Sequence, residues 1–432
     1  MTPTAPSAPP APGMDAARER EFFATLALRH TPRLGPRTWR GLLAAYASAY
    51  AALRAAAEWP ERRLAGPALA AKVRAEVWRP GAEAEYRAAR ALGAPVLLYT
   101  DPIYPDLLRA IPDPPPYLYA EGDLGLLAGP AVAVVGARKA TRRGAEAARI
   151  VSEALSAMGV TVVSGLAMGV DRQAHLGGLA GVGRSIAVLG AGLDSRYPAA
   201  NLDVRAALAE HGLVLTEYAP GEGARSEHFP FRNRIIAGLC LGVLVVEAAE
   251  RSGSLITARL AGEQGREALV LAGPEDDVAW AGCRRLVADG ATLVEDAEAV
   301  LAALGPELRR AAAAAAAGQT TPASLPESEP APEPASGAEP DGLAAPAPRP
   351  ARRSSKKSVR PTSAPAPIPD LTPDEAAVLA RVPGKGRRHL DEIAQDLDWE
   401  SARVSRTLVL LELRGLVRQW PGLRYALAGA MP

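Results

Sequence analysis

Six short apolar runs, separated by segments of helical pattern, set the limits on what residues 131–304 can become. The runs are Ala131–Val135, Val160–Val163, Ser185–Leu189, Leu213–Leu215, Val243–Val246 and Ala268–Leu271. Most are rich in β-branched residues and bounded by glycine. Between them lie stretches such as Arg142–Met158 and Ser254–Gln264, whose apolar residues recur at helical spacing. Strands that are apolar on both faces need cover on both faces, which helical crossovers supply. The pattern predicts an α/β fold with a Rossmann-like, doubly wound parallel sheet. In such folds ligands sit beyond the carboxyl ends of the strands.

The chain has 432 residues, too many for one ordinary domain. Residues 1–13 are Pro/Ala-rich and read as disordered. Residues 14–92 carry helical periodicity through Phe23, Leu26, Leu28, Trp39, Leu42, Leu43 and Tyr46. Within them, His30-Thr-Pro-Arg-Leu-Gly-Pro-Arg37 resembles the hairpin of a degenerate helix–hairpin–helix (a SAM-like helical domain), where amides at a helix start meet a phosphate. An ordinary turn between helices is the competing reading. Residues 93–305 read as the extended Rossmann-like domain. Its first part holds the apolar pieces Val96–Leu98 and Tyr117–Tyr119, read as a lead-in packing on the sheet domain.

Residues 306–369 form a Pro/Ala-rich stretch that lacks the apolar content for a core and reads as a disordered linker. Its basic cluster, Arg352, Arg353, Lys356, Lys357 and Arg360, reads as a solubilising element. Residues 370–432 read as a winged helix: three helices and two small strands joined through Pro421-Gly422. Thr372 and Pro373 mark the start of the first helix. On the presumed recognition helix, Ser401, Arg403, Ser405 and Arg406 are expected on the exposed side, a weak duplex-DNA contact or a protein contact.

The net charge is +1, so a nucleic-acid site must be a local arrangement of Arg and Lys. The two cysteines, Cys240 and Cys283, have no metal-ligand spacing, and the five histidines are scattered. No metal and no cofactor is expected. The longest strongly apolar run, Ile235 to Val246, is too short to span a bilayer. A cytoplasmic protein without a membrane partner is the expectation.

The informative residues follow the strands. The first strand runs into Gly136-Ala-Arg138-Lys-Ala-Thr141, with Arg142 and Arg143 opening the next helix. The second runs into Ser164-Gly165-Leu-Ala-Met168-Gly169-Val-Asp171, with His175 one turn later; the third runs into Gly190-Ala-Gly192-Leu-Asp194. A later strand leads into Glu247-Ala-Ala-Glu-Arg-Ser252-Gly253-Ser254 and a helix. Glycine lets backbone approach a ligand, and amides at a helix start favour an anion. Four such turns on one sheet edge predict a phosphate-binding surface. Arg138 and Arg232 read as phosphate ligands and Asn233 as a base or loop contact; Arg234 reads equally as a phosphate ligand or as a partner of Glu217 or Glu247. Lys139 is expected to project elsewhere. Neither a dinucleotide fingerprint nor a Walker A lysine is present.

These motifs, with Phe229-Pro-Phe-Arg-Asn-Arg-Ile-Ile-Ala-Gly-Leu239 and Ser252-Gly-Ser-Leu-Ile-Thr-Ala258, resemble the DprA/Smf family of DNA-processing proteins. The resemblance covers the whole Rossmann-like domain, and family variants also carry the flanking domains. It implies a homodimer that binds single-stranded DNA, protects it and helps load RecA recombinase in natural transformation, without catalysis. Departures from the family pattern are Met168 where a basic residue is common, Cys240 for Ser, Arg284 for Asn, and the order Ala272-Gly273-Pro274. Two other classes compete. One is a phosphoribohydrolase-like enzyme, for which Asp171 with His175, or Glu247, are the acid–base candidates, although its Pro-Gly-Gly-x-Gly-Thr motif is missing. The other is a winged-helix transcription regulator.

Overall fold

The computed structural model describes residues 15–274, 276–309, 371–384, 386–413, 416–420 and 423–428. The N-terminal residues 1–14 and the stretch 310–370 with its basic cluster lie outside the described residues.

Five helices come first: α1 (Ala16–Arg29), α2 (Pro36–Tyr46), α3 (Ala49–Arg54), α4 (Pro67–Arg74) and α5 (Arg79–Leu92). The Asp15 side chain caps α1 by accepting from the Arg18 amide, and Pro36 opens α2, where its missing N–H costs nothing. Phe22, Phe23, Trp59, Trp78 and Tyr86 are buried at their centre. Glu85 of α5 fastens this layer to the sheet. It accepts from the phenols of Tyr117 (2.5 Å) and Tyr119 (2.9 Å) and meets His30 Nε2 at 2.7 Å. Burial opposes its charge, but these partners hold its carboxyl below the usual range.

The large sheet begins with β1 (Val96–Leu98), the short α6 (Asp106–Arg109) and β2 (Tyr117–Gly122). It continues through β3 (Ala131–Val135), α7 (Arg142–Ala157), β4 (Thr161–Ser164), α8 (Val170–Ala180), β5 (Ser185–Val188), α9 (Leu202–His211) and β6 (Leu213–Thr216). Next come α10 (His228–Gly238), β7 (Gly242–Val245), α11 (Ser254–Glu263), β8 (Glu267–Leu271), α12 (Ala281–Ala288), β9 (Thr292–Val294) and α13 (Ala297–Ala303). Strand order is β1-β2-β6-β5-β4-β3-β7-β8-β9. The six expected strands are present within a residue or two. The lead-in is more than a lead-in: β1 and β2 extend the sheet antiparallel beyond β6, through pairs such as Tyr119–Thr216. Their three- and six-residue lengths gave too little periodicity to show this.

Alternation fits two-sided cover. Val132, Val134 and Val162 pack under α7, α8 and α13, while Ala133, Val135 and Val163 face α10 and α11. The chain winds outward from β3 to β6 and then returns to lay β7 beside β3. That reversal is the topological switch point, where strand-end loops diverge and leave a crevice.

The last described part holds α14 (Pro373–Leu379), β10 (Arg388–His389), α15 (Leu390–Leu397), α16 (Ser401–Leu413), β11 (Val417–Trp420) and β12 (Arg424–Leu427). Thr372 and Glu375 form a capping box at α14. The expected outward face of α16 is corrected. Ser401 and Ser405 are buried, because α16 packs on α10 and on the turn before α2; Arg403 is exposed but bound to Asp374 at 2.6 Å. The Arg406 side chain lies outside the described residues.

Candidate nucleic-acid interface

Loops from the carboxyl ends of β3, β4 and β7 surround a groove of about 850 Å³ at the switch point. Backbone contact holds the loops together. The Ala137 amide donates to the Glu247 carbonyl (2.8 Å), and the Val170 amide donates to the Ala137 carbonyl (3.1 Å). Gly169 has φ +77°, and a Cβ there would fall on the carbonyl oxygens of Ala137 and Arg138. Gly136 is similarly enclosed by Val170 and the Glu247 carbonyl. These glycines bring loops together; they leave the side chains beyond them to face the ligand space.

Five cations line the groove: Arg138, Lys139, Arg225, Arg232 and Arg251. The lining carboxylate is Asp171, buried and turned toward the amides of Gly165 (3.2 Å) and Ala167 (3.3 Å). The groove lining therefore carries an excess of positive charge. Arg138 is exposed and lies over the Phe229 ring at 5.1 Å. Phe229 in turn packs on half-exposed Tyr197, with centroids 5.4 Å apart. At the far wall Gly253 has open space beside it, and Ser252 and Ser254 share a 2.8 Å hydroxyl contact at the start of α11. Asn233 also lines the groove. A recess beside it is lined by Met168, Gly165, Gly190, Tyr197 and Arg232.

Arg232 forms the floor. Its guanidinium is buried under Gly165, where a Cβ would strike it, and donates to the Val188 carbonyl. Among the described residues its Nε has no hydrogen-bond partner. Burial pulls this guanidinium down to about 10, against the support of the Asp171 charge. A buried cation so placed biases the groove toward anions without projecting into it.

Other candidates sit elsewhere. Arg234 leaves the groove: it forms a fork with Glu217 (2.6 Å on both arms), takes Asp113 at 3.4 Å and stacks on Phe231. Of its two readings, the structure gives the pair with Glu217. Ser164 is fully buried and donates to the Val134 carbonyl, so it supports its turn. Arg142 and Arg143 are exposed in the first turn of α7, outside the groove lining. Cations there oppose the helix dipole, so they do not serve α7 itself. Lys139, expected to point away, lines the groove. Arg225, Arg251, Tyr197 and Phe229 were not singled out as ligands. Arg251 stands directly before Ser252, a signal that was legible; Arg225 lies in the loop after β6 and carries no motif.

The acid–base candidates are committed. His175 Nε2 accepts from the Leu166 amide (3.1 Å), and Nδ1 meets the Ser185 hydroxyl (2.8 Å). Burial, aided by the Arg232 charge, pushes this ring down to about 3, so it is neutral. Glu247 accepts from the Thr141 amide (2.9 Å) and hydroxyl (2.5 Å), holding the Arg138 loop. The Cys283 thiol is buried and pushed up to about 12 by burial.

A family profile described as DNA recombination-mediator protein A matches residues 95–305, and one described as the DprA winged helix domain matches 362–422. DNA processing protein DprA of Streptococcus pneumoniae is 46% identical over 202 residues, 47% of this chain and 71% of that protein. The chain belongs to the DprA/Smf family. Protein Smf of Synechocystis is 44% identical over 211 residues, 48% of this chain and 52% of that protein, so the match spans about half of that relative. The X-ray structure of DprA from S. pneumoniae superposes with a TM-score of 0.54 at 34% identity, covering 66% of this chain and 97% of that one. The DprA/Smf assignment rests on the sheet domain, where the groove lies, and on the winged helix.

Two outcomes follow from this geometry. Arg138→Ala weakens single-strand binding by about 1–3 kcal/mol for all sequences and makes the log–log salt slope shallower by about 0.7, one released counterion. Its melting temperature stays near that of the parent. Arg234→Ala does the reverse, losing roughly 3–5 kcal/mol of stability by stranding Glu217, with the salt slope unchanged. Exposed Arg87 on α5 is the control, since Lys139 lines the groove. An unchanged slope with lowered melting for Arg138→Ala would remove it from the ligands. Second, His175 protonates in the unfolded chain near 6.5 but resists protonation when folded until about 3. Its contribution to stability is present above 6.5 and is lost as pH falls through that window, by up to about 1.4 kcal/mol per pH unit. Urea titrations should show His175→Asn with a flatter stability profile there; an identical profile would mean the ring is charged in the fold.

Proposed function

We propose that this chain binds single-stranded DNA in the groove at the switch point, as a recombination mediator without catalysis. It would protect incoming single strands and help load RecA during natural transformation, and DNA repair is a second setting for the same activity. The observation that carries the reading is the Arg138–Phe229–Tyr197 stack among five cations. Cations attract any phosphodiester backbone, but aromatic faces pay off only with unstacked bases, at about 1–3 kcal/mol per base. A duplex keeps its bases from such rings. The ligand set proposed is Gly136, Arg138, Gly165, Met168, Gly169, Asn233 and the 252–254 turn, with Arg232 beneath, Arg142 and Arg143 flanking, and Lys139, Arg225, Arg251, Tyr197 and Phe229 added.

The enzyme reading loses its support because Asp171, His175 and Glu247 each bond to a loop. The transcription-regulator reading needs a free recognition helix, and α16 is packed against the body of the protein. Among the described residues no helix is long and apolar enough to cross a membrane. Cytoplasmic placement is part of the proposal.

A homodimer, which the family resemblance implies, is also proposed. Leu269, Val270 and Leu271 are core residues of β8 and unavailable to a partner. The support is instead the sheet edge at β9, with Leu293 half exposed, and Val278, 78% exposed in the connection after β8.

Equal-length single- and double-stranded oligonucleotides, titrated across a salt series, test the function. The single strand should bind at least about tenfold tighter, roughly 1.4 kcal/mol. Equal affinities, or rapid release of adenine from AMP, would sink the proposal. Sedimentation of the chain at micromolar concentration should show a dimer; a monomer throughout would end the dimer claim.

A further inference from the structure

The turn before α2 and its neighbours carry cations whose partners come from the winged helix. Arg33 Nε lies 2.5 Å from Asp398 Oδ1, and Lys72 Nζ lies 3.1 Å from the same oxygen. Among the described residues neither cation meets a carboxylate of the helical domain. Arg29 Nη1 reaches Glu400 Oε2 at 3.4 Å. Asp391 and Ser401 press on Gly35, the residue that precedes α2 and offers it no side-chain cap; a Cβ at Gly35 would fall on the Asp391 carboxylate. Arg37, in the first turn of α2, adds its field to the same carboxylate. Three carboxylates thus sit on the hairpin face, one of them at a helix start, where an anion is favoured.

We propose that this hairpin face is a second DNA-backbone site, covered here by winged-helix carboxylates that stand in for phosphates. The contact is suited to exchange. Asp398 is exposed while paired, and exposed ion pairs are weak and screened by salt. The winged helix is part of the same chain, so it competes as an intramolecular ligand, which a polyanion held in the nearby groove can displace. Displacement, whether by a free polyanion or by one also held in the groove, frees the buried face of α16. The site is built without Arg138, so it does not need the groove reading to hold.

The test uses the full chain with Asp398→Asn, which releases Arg33 and Lys72 together. Asn accepts the left-handed backbone at position 398 (φ +55°), and circular dichroism checks the fold. Affinity for a single strand and a duplex is followed across salt by fluorescence anisotropy. Freeing Arg33 and Lys72 should tighten binding and steepen the log–log slope by about 1.4 on a single strand or about 1.8 on a duplex. Whichever of the two ligands gains identifies the source of the phosphates. Adding Arg33→Ala and Lys72→Ala should abolish the gain, and Arg138→Ala should leave it. Unchanged slopes on both ligands overturn the proposal, as does a gain that survives loss of Arg33 and Lys72 or disappears with Arg138→Ala.

Discussion

A carboxylate at the end of one strand holds the loop of its neighbour, and the groove depends on it. Glu247 follows β7, and it takes both the amide and the hydroxyl of Thr141, the cap of α7 after β3. Its own carbonyl receives the Ala137 amide. The loop carrying Arg138 is therefore fixed at both ends by one residue across the switch point. From the other side Gly169 closes on the same loop at a distance that only glycine permits. A parallel sheet delivers its loops to one edge; these contacts turn that edge into a rigid wall with an exposed guanidinium on top. Preorganisation of this kind lowers the entropic cost of binding a flexible ligand.

The buried polar groups beneath the groove form a second layer of the same device. Asp171 and His175 accept from three amides of the 165–167 turn, and buried Arg232 adds its charge to both. Each looks catalytic in sequence because Asp, His and Arg near glycine turns are what an active site needs. The structure gives these side chains another use, as acceptors for the backbone of the turn. A tight turn at a strand end strands its own amides, and buried acceptors must satisfy them. The same physics accounts for Arg234, whose fork with Glu217 ties α10 to the strand-end region of β6.

What was legible in the sequence is what repeats or what breaks a rule. The strands β3 to β8 were readable because each is a continuous apolar run between glycines, and the α14 cap because Thr372-Pro-Asp-Glu375 satisfies a helix start locally. The groove glycines were readable because four turns share one feature. Partners distant in sequence were not readable. Tyr197 and Phe229 meet only when the loops after β5 and β6 fold toward each other, and β1 and β2 join the sheet through pairing with β6. The burial of Ser401 and Ser405 was hidden for the same reason: helical periodicity tells which face is less apolar, not whether another part of the chain covers it.

If a single strand lies across the strand-end groove as proposed, its bases rest on the Tyr197–Phe229 pair. Photocrosslinking of a bromouracil-substituted single strand to the full chain, followed by peptide mapping, reads out that contact. Adducts should concentrate at Tyr197 and Phe229. Adducts confined to residues 371–428, with none in the groove, would contradict the proposal.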